Sequence, residues 1–129
     1  MSRQFHGSLE SWLDKHGIDI IALQEVKARP DVIRDSPGLI GADIKGWETF
    51  WCPCRLKGSA GGFNGVATLA RKGLCVAANC VPLEIDDLDA EGRAIVTDHG
   101  SFVMFNVYVP NDAGGSRLPY KMRFLNRLR

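Results

Sequence analysis

The spacing of apolar residues changes from a helical to a strand period near the start of the chain. Behind Ser8, a favoured helix-capping residue, apolar and aromatic side chains recur every three to four positions, and Gly17 is a typical helix end. These side chains are Leu9, Trp12, Leu13 and His16. Residues 18–23 are then almost continuously apolar and β-branched, which is typical of a buried strand. The sequence therefore predicts a helix that leads directly into a buried strand.

Short apolar segments bounded by turn residues predict several further strands. They span residues 47–51, 65–70, 74–78, 93–97 and 102–109. A short helical or irregular stretch is expected around residues 30–33. The glycine-rich segment 57–64 and the acidic segment 84–91 are both expected to be loops.

The last residues return to a helical pattern. Ser116 is the predicted N-cap, and Pro119 falls in the first turn, where its missing N–H is tolerated. The predicted apolar stripe consists of Leu118, Met122, Leu125 and Leu128. This order of elements predicts an α/β (α+β) fold with a mixed sheet, as one partial domain over residues 1–129. Because the chain opens on a helix and stops inside one, both ends are expected to be cut from a longer domain.

Composition narrows the class of protein without choosing a function. Of the 129 residues, 45% are hydrophobic and 24% charged, as in an ordinary globular domain, and the net charge of +1 gives no global attraction to nucleic acid. The charges are segregated, however, with five acids and no base in residues 84–91 and five bases and no acid in residues 113–129. The basic segment either meets phosphate or forms a solvated helix face. No apolar run is long enough to span a bilayer.

The cysteine and histidine positions do not follow a metal-binding pattern. The four cysteines, at positions 52, 54, 75 and 80, lack zinc-ribbon spacing, and the three histidines are scattered. Free thiols in a reducing compartment are expected. No charged-then-apolar leader opens the chain, so secretion is not indicated.

Candidate chemistry lies where the predicted strands end. Glu25 and Lys27 follow the buried strand of residues 18–23, a position where sheet proteins often place ligands. A lone carboxylate there suits Mg²⁺, which takes oxygen ligands and keeps several waters. Lys27 would orient a carboxylate or meet a phosphate. A simple solvated strand end is the alternative interpretation.

Three further segments offer polar groups. Strand alternation puts Asn106, Tyr108 and Pro110 on one face, where the amide and the phenol would donate to a phosphate oxygen. A core tyrosine and a turn asparagine are the alternative. The glycines around Asn64 either allow close backbone approach to a ligand or form a hairpin turn. Arg93, at a strand start, suits a phosphate or a buried carboxylate.

Four segments, taken together and in order, are more specific than any one of them. They are residues 19–27 (Asp-Ile-Ile-Ala-Leu-Gln-Glu-Val-Lys), 62–67 (Gly-Phe-Asn-Gly-Val-Ala), 91–93 (Glu-Gly-Arg) and 102–111, which ends in Tyr-Val-Pro-Asn. The combination resembles the exonuclease III family of AP endonucleases, within the endonuclease/exonuclease/phosphatase (DNase I-like) superfamily. The match covers roughly residues 7–129. Residues 120–125 are more similar to the family's second eukaryotic class than to its bacterial one.

The resemblance implies part of a four-layered α/β sandwich with mixed sheets and a metal-dependent phosphodiesterase. The implied reaction is hydrolysis of duplex DNA 5′ to an abasic site, with Mg²⁺ or Mn²⁺, in base-excision repair. A 3′-5′ exonuclease or 3′-phosphodiesterase activity is a further expectation. The implied location is the nucleus in a eukaryote and otherwise the cytoplasm. The implied residues are Glu25 for metal, Tyr108 for the scissile phosphate, Lys27 as support for the metal carboxylates, and Arg93, Asn111 and Asn64 for phosphate and DNA.

Several parts of the family pattern have no counterpart in this sequence. Asn64 replaces a usual serine, and Ile18 replaces a small residue or proline. The family's Trp-Asn-x-Asn-Gly strand, its aspartate-x-asparagine pair and its closing aspartate and histidine are not found. Those residues supply further metal binding, the general base and its orientation, so little or no catalysis is expected from this chain alone.

Two other classes stay open at this point. One is a different phosphodiesterase of the superfamily, such as a retroelement endonuclease, a phosphoinositide or sphingomyelin phosphodiesterase, or a deadenylase. The other is a non-catalytic DNA-binding remnant that uses the basic C-terminal helix and binds duplex in a salt-sensitive manner.

Overall fold

The chain folds into two three-stranded antiparallel sheets with helices on their outer faces. The computed structural model describes residues 8–39 and 42–129. The helices are α1 (Leu9–Lys15), α2 (Pro30–Asp35), α3 (Asp86–Asp89) and α4 (Leu118–Leu128). The strands are β1 (Ile20–Gln24), β2 (Trp47–Cys52), β3 (Val66–Arg71), β4 (Ala77–Asn79), β5 (Ala94–Asp98) and β6 (Val103–Val107). None of the described helices is long and apolar enough to cross a membrane.

The strand order places one central strand in each sheet. The first sheet has the order β1-β3-β2 and the second has the order β4-β5-β6. β3 is buried along almost its whole length because strands flank it on both sides and cores cover both of its faces. β1 and β6 therefore lie at edges of their own sheets, and side chains between the sheets connect them.

The layers follow the order helix, sheet, sheet, helix. α1 packs on the outer face of the first sheet, around Leu13, Trp47, Ala67 and Leu69. The inner core, between the two sheets, contains Cys52, Val66 and Ile95. α4 packs on the outer face of the second sheet, around Leu83, Leu88, Ala94 and Phe124. The expected four-layered α/β class is confirmed. The described sheets are not mixed as expected, because every described strand pairing is antiparallel.

The helix over the start of the chain is confirmed, but the last helix differs from its prediction. The Ser8 side chain caps α1 by accepting from the Ser11 amide at 3.2 Å. α4 is instead preceded by Arg117, and no side chain caps it. The predicted apolar stripe is wrong. Phe124 is the buried residue of α4, whereas Leu118 and Met122 of the predicted stripe are 45% and 46% exposed. The face with the larger aromatic surface, Tyr120 and Phe124, packs against the core.

Three segments expected to be simple loops or strands also differ. The acidic segment contains the single turn α3, because Leu88 packs in the core and Asp89 accepts from the Leu83 amide at 3.2 Å. The glycine-rich segment forms a 3₁₀ helix over Gly58–Gly62. The strand predicted over 74–78 occurs as β4 (Ala77–Asn79), since it pairs with residues 96–98 of β5.

The acidic and basic segments pair with each other. Arg123 binds both carboxylate oxygens of Asp87, at 2.7 and 3.0 Å. Arg127 lies 3.5 Å from Glu84. Two of the three basic side chains of α4 thus face acids of the same chain, and the interpretation of this helix as a phosphate-binding surface loses support.

The inner core makes one cysteine unreactive. Burial raises the pKa of the Cys52 thiol to about 12, whereas Cys80 is exposed. Since the thiolate is the nucleophile, brief iodoacetamide treatment of the native protein at neutral pH is expected to alkylate Cys80 and spare Cys52. Peptide mass spectrometry measures both, with a urea-denatured sample as the control in which all four cysteines react. Rapid labelling of Cys52 in the native protein would contradict this packing.

Candidate functional site

A carboxylate and a phenol meet where the two sheets end. Glu25 directly follows β1, and Tyr108 directly follows β6. The Tyr108 hydroxyl donates to Glu25 Oε1 at 2.5 Å, a contact between residues that are 83 positions apart. This hydrogen bond raises the pKa of the Tyr108 phenol. Tyr108 is therefore a hydrogen-bond donor at neutral pH.

The side chain of Asn106 explains why these strand ends are adjacent. Asn106 is 2% exposed and lies between the sheets. Its Oδ1 accepts from Gln24 Nε2 at 2.6 Å, and its Nδ2 donates to the carbonyl oxygens of Ala67 at 2.9 Å and Leu23 at 3.2 Å. The expectation that Asn106 donates to a phosphate is wrong, because its amide is buried and already bonded. Instead it joins β6 to β1 and β3 beside the Glu25–Tyr108 pair.

The loop that carries Glu25 and Lys27 is held in a rarely populated conformation. Glu25, Lys27 and Asn64 have φ values of 52°, 53° and 56°, in the left-handed region. The Lys27 amide donates to the Asn64 carbonyl at 2.9 Å, and the Val26 amide donates to Gly65 at 3.1 Å. Non-glycine residues keep such angles only where their surroundings enforce them, often at functional sites. Asn64 and Gly65 thus support the Glu25 loop through their backbone.

Gly65 and Gly92 bring the neighbouring loops close to this turn. The Gly65 amide donates to the Gly92 carbonyl at 3.0 Å. A Cβ on Gly92 would lie 2.5 Å from the backbone of Pro53, and one on Gly65 would lie 2.8 Å from Val26 Cγ2. Both positions also have positive φ, at 66° and 88°. Glycine is required at both because no side chain fits there.

Arg93 lies behind Tyr108, away from the surface. Its side chain is 8% exposed, and its Nε donates to Glu91 Oε1 at 3.0 Å. Its guanidinium lies 5.1 Å from the centre of the Tyr108 ring. The sequence left a phosphate or a buried carboxylate open as the partner of Arg93, and in this structure Arg93 binds the buried carboxylate of Glu91.

The other predicted residues lie around this pair at different depths. Lys27 is exposed, two positions after Glu25, and Asn64 is half-buried. Asn111 is exposed, and its Oδ1 accepts from the Ala113 amide at 2.6 Å. The structure thus joins Glu25 to Tyr108 directly and Lys27 to Asn64 through the backbone. The roles proposed for these residues in phosphate and DNA contact stay predictions.

The carboxylate of Glu25 fits a hard, hydrated cation. Among the described residues nothing bonds its second oxygen, Oε2. Residues 8–39 and 42–129 contain no group of three or more His, Cys, Asp or Glu side chains able to hold a metal ion. A single carboxylate ligand suits Mg²⁺, which keeps most of its waters and is often bound by one or two carboxylates plus phosphate.

Sequence reasoning missed the residues that position this pair. Gln24 and Asn106 lie in the strand-end segments that the sequence identified. Only the packing of the two sheets shows that their side chains are bonded to each other. Glu91 was seen as part of a glutamate-glycine-arginine segment without a role of its own. Its charge, opposite to that of Arg93 two positions later, was the available signal. The turn at Gly92, with a φ of 66°, brings the two side chains together.

Two packed sheets flanked by helices, with a carboxylate and a tyrosine at their joint ends, define a DNase I-like sandwich. The sequence profile of the Endonuclease/Exonuclease/phosphatase family matches residues 3–129, and the chain belongs to that family. The family-level expectation is thereby confirmed.

Curated relatives and a solved structure agree with this assignment. DNA-(apurinic or apyrimidinic site) endonuclease 2 from Bos taurus and from Xenopus laevis are each 29% identical to the chain, over 150 and 154 residues. These alignments cover 90% and 93% of the chain but 28% of each relative, so the chain spans less than a third of their length. The crystal structure of AP endonuclease LMAP from Leishmania major matches with a TM-score of 0.68 at 25% identity. That match covers 90% of this chain and 38% of the other.

Replacing Asn106 by leucine is expected to destabilise the fold by about 3 kcal/mol. The substitution leaves the buried partners of its amide without hydrogen bonds, each a penalty of about 1–3 kcal/mol. Urea unfolding followed by circular dichroism measures the change. The control is Asn126→Ala on the exposed side of α4, expected to stay within about 0.5 kcal/mol of the parent. Equal stability of the two variants would mean that Asn106 does not join the sheets.

Glu91 is expected to make stability depend on pH. Burial opposes its ionisation, but hydrogen bonds from Arg117 and Arg93 outweigh burial and hold the pKa of Glu91 below its ordinary 4.5. A lowered carboxyl pKa stabilises the fold above the unfolded-state value, and this contribution is lost as pH falls through the folded-state value. Glu91→Gln is therefore expected to be less stable by roughly 3 kcal/mol at neutral pH, with the difference shrinking below pH 4.5.

Urea unfolding of parent and variant, at neutral pH and in acid, tests this dependence. The control Asp87→Asn removes an ion pair whose side chains are 53% and 55% exposed, so its effect is expected to be small. A stability gap for Glu91→Gln that is the same at both pH values would contradict the assignment.

Proposed function

We propose that this chain carries part of the active site of a DNA-repair nuclease that hydrolyses the phosphodiester 5′ to an abasic site. The observation that carries the proposal is the Glu25–Tyr108 pair at the joint ends of the two sheets. The family match supports hydrolysis of a phosphate ester, and the relatives named as apurinic or apyrimidinic site endonucleases support DNA as the substrate. Location in the nucleus is part of the same proposal for a eukaryotic source.

Each residue has a role that its environment can support. Glu25, with one free carboxylate oxygen, would hold Mg²⁺. When bound, the ion would neutralise charge on the phosphate oxygens. The phenol proton of Tyr108, which Glu25 accepts in this structure, would be donated to a phosphate oxygen instead when substrate is bound. Lys27 and Asn111 are exposed on the flanking loops, where they would meet the DNA backbone.

Arg93 would contribute from behind Tyr108. Its guanidinium is already bonded to Glu91, so a direct phosphate contact would require the guanidinium to leave a buried carboxylate. Removing one partner of a buried ion pair costs about 3–5 kcal/mol. Arg93 is therefore better suited to hold the tyrosine than to bind DNA.

The test is incision of a duplex oligonucleotide that contains one abasic-site analogue, with protein in excess and with or without Mg²⁺. Slow incision that requires Mg²⁺ is expected, because little turnover is anticipated from this chain alone. Glu25→Gln is expected to abolish it, and Tyr108→Phe to lower its rate about 10²-fold or more, as for loss of one transition-state donor. Denaturing gels measure the product, and Glu10→Gln on α1 is the matched control, expected to leave the rate unchanged.

Three outcomes would contradict the proposal or favour another function. Incision that survives Glu25→Gln would mean that this carboxylate is not part of the reaction. Salt-sensitive duplex binding without incision would favour the non-catalytic alternative. Hydrolysis of a phospholipid headgroup or a poly(A) strand in preference to abasic DNA would assign another phosphodiesterase class.

A further inference from the structure

A buried carboxylate connects the candidate site to helix α4. The Glu91 side chain is 8% exposed and is shared by two arginines. Arg93 donates to Oε1 at 3.0 Å, and Arg117, which precedes α4, donates to Oε2 at 2.6 Å. Arg117 also donates to Oε1, at 3.3 Å, so that it binds both carboxylate oxygens. Because both guanidinium groups are bonded to one buried carboxylate, Glu91 fixes the orientation of both.

Arg93 passes this orientation on to Tyr108 through several contacts. The guanidinium lies over the Tyr108 ring at 5.1 Å, and its Nη1 lies 3.4 Å from the Tyr108 carbonyl oxygen. The Tyr108 amide donates to the Arg93 carbonyl at 2.8 Å. Arg93 therefore contacts one face of the Tyr108 ring and both the amide and the carbonyl group of Tyr108. In this arrangement the phenol points at Glu25.

Arg117 holds the other side of the carboxylate in the same way. Its guanidinium lies 4.2 Å from the centre of the Tyr120 ring, and the Tyr120 hydroxyl reaches the Leu88 carbonyl at 3.5 Å. α4, the acidic segment and the site tyrosine thus meet at one carboxylate.

We infer that Glu91 is a positioning residue that holds Arg93 against Tyr108 and so keeps the phenol directed at Glu25. This inference rests on the proposed function, in which that phenol acts at the phosphate. Holding a long arginine side chain in one place costs rotamer entropy, so without its carboxylate partner Arg93 would leave the buried position for water. Tyr108 would then lose the support of its ring face and would sample orientations away from Glu25.

A second ion pair in the chain provides the matched control. Asp87 and Arg123 also connect the acidic segment to α4, through a bidentate contact. That pair is about half exposed, and its described contacts do not include Tyr108 or Arg93. Asp87→Asn therefore removes a similar interaction between the same elements without reaching the site.

Nuclear magnetic resonance of labelled tyrosine rings tests the inference, since the chain has two tyrosines and Tyr120→Phe assigns them. In the parent, Glu25→Gln is expected to shift the Tyr108 signal because the phenol loses its charged acceptor. In the Glu91→Gln background the same change is expected to produce no shift, whereas in the Asp87→Asn background the shift persists. Such a double-mutant comparison isolates coupling between two sites from their separate effects. Circular dichroism verifies that each variant is folded.

An undiminished response to Glu25→Gln in the Glu91→Gln background would overturn the inference. If Glu91→Gln does not fold, Arg93→Lys replaces it, since lysine keeps the charge opposite Glu91 but lacks the planar fork. Loss of the Tyr108 response in Arg93→Lys supports the inference, and a retained response overturns it. These spectra need neither DNA nor metal. If the protein does not cleave DNA but the Tyr108 response depends on Glu91, only the proposed function is refuted. If it cleaves DNA but the Tyr108 response does not depend on Glu91, only the positioning role is refuted.

Discussion

The amide of Asn106 is the interaction on which the arrangement of the site depends. Within the described residues the two sheets share no backbone ladder. Their relative position is therefore set by side chains that pack and bond between them, together with the backbone bond from Gly65 to Gly92. Apolar contacts are non-directional and tolerate sliding, whereas an amide bonded to Gln24, Leu23 and Ala67 permits one register. Glu25 follows Gln24 directly, and Tyr108 lies two positions beyond Asn106, so that register also fixes the distance between them.

Local support then comes from three neighbouring loops. The Asn64–Gly65 turn holds the Glu25 loop by its backbone, and Gly65 in turn bonds Gly92. Gly92 immediately precedes Arg93, which lies against Tyr108. These contacts lead from the Glu25 loop to Tyr108, which also bonds Glu25 directly. The carboxylate and the phenol are therefore each held from two directions. A site of this kind is preorganised by its scaffold.

The sequence predicts the elements better than it predicts their contacts. Helix α1 and the strand after it follow from local periodicity and from Ser8, and both form. The expected burial of that strand is wrong, because β1 lies at the edge of its sheet and is only half-buried. Helix α4 forms as well, but its buried face is that of Tyr120 and Phe124, which only the neighbouring sheet could select. The strand ends that carry Glu25 and Tyr108 were recognisable as segments. Their direct hydrogen bond, the burial of Asn106 and the pairing of Arg93 with Glu91 depend on contacts between distant parts of the chain, which periodicity does not contain.

The sequence distance between the joined residues has a consequence for how the molecule folds. Gln24 and Asn106 are 82 positions apart, and Glu25 and Tyr108 are 83 apart. Closing so long a loop is entropically unfavourable, and proteins dominated by such distant contacts fold slowly. Once the Asn106 amide has closed this loop, the Glu25–Tyr108 contact requires almost no further loss of chain entropy. The candidate site is therefore expected to form in the same late kinetic step as the docking of the two sheets. Formation of the Glu25–Tyr108 contact would then report that folding is complete.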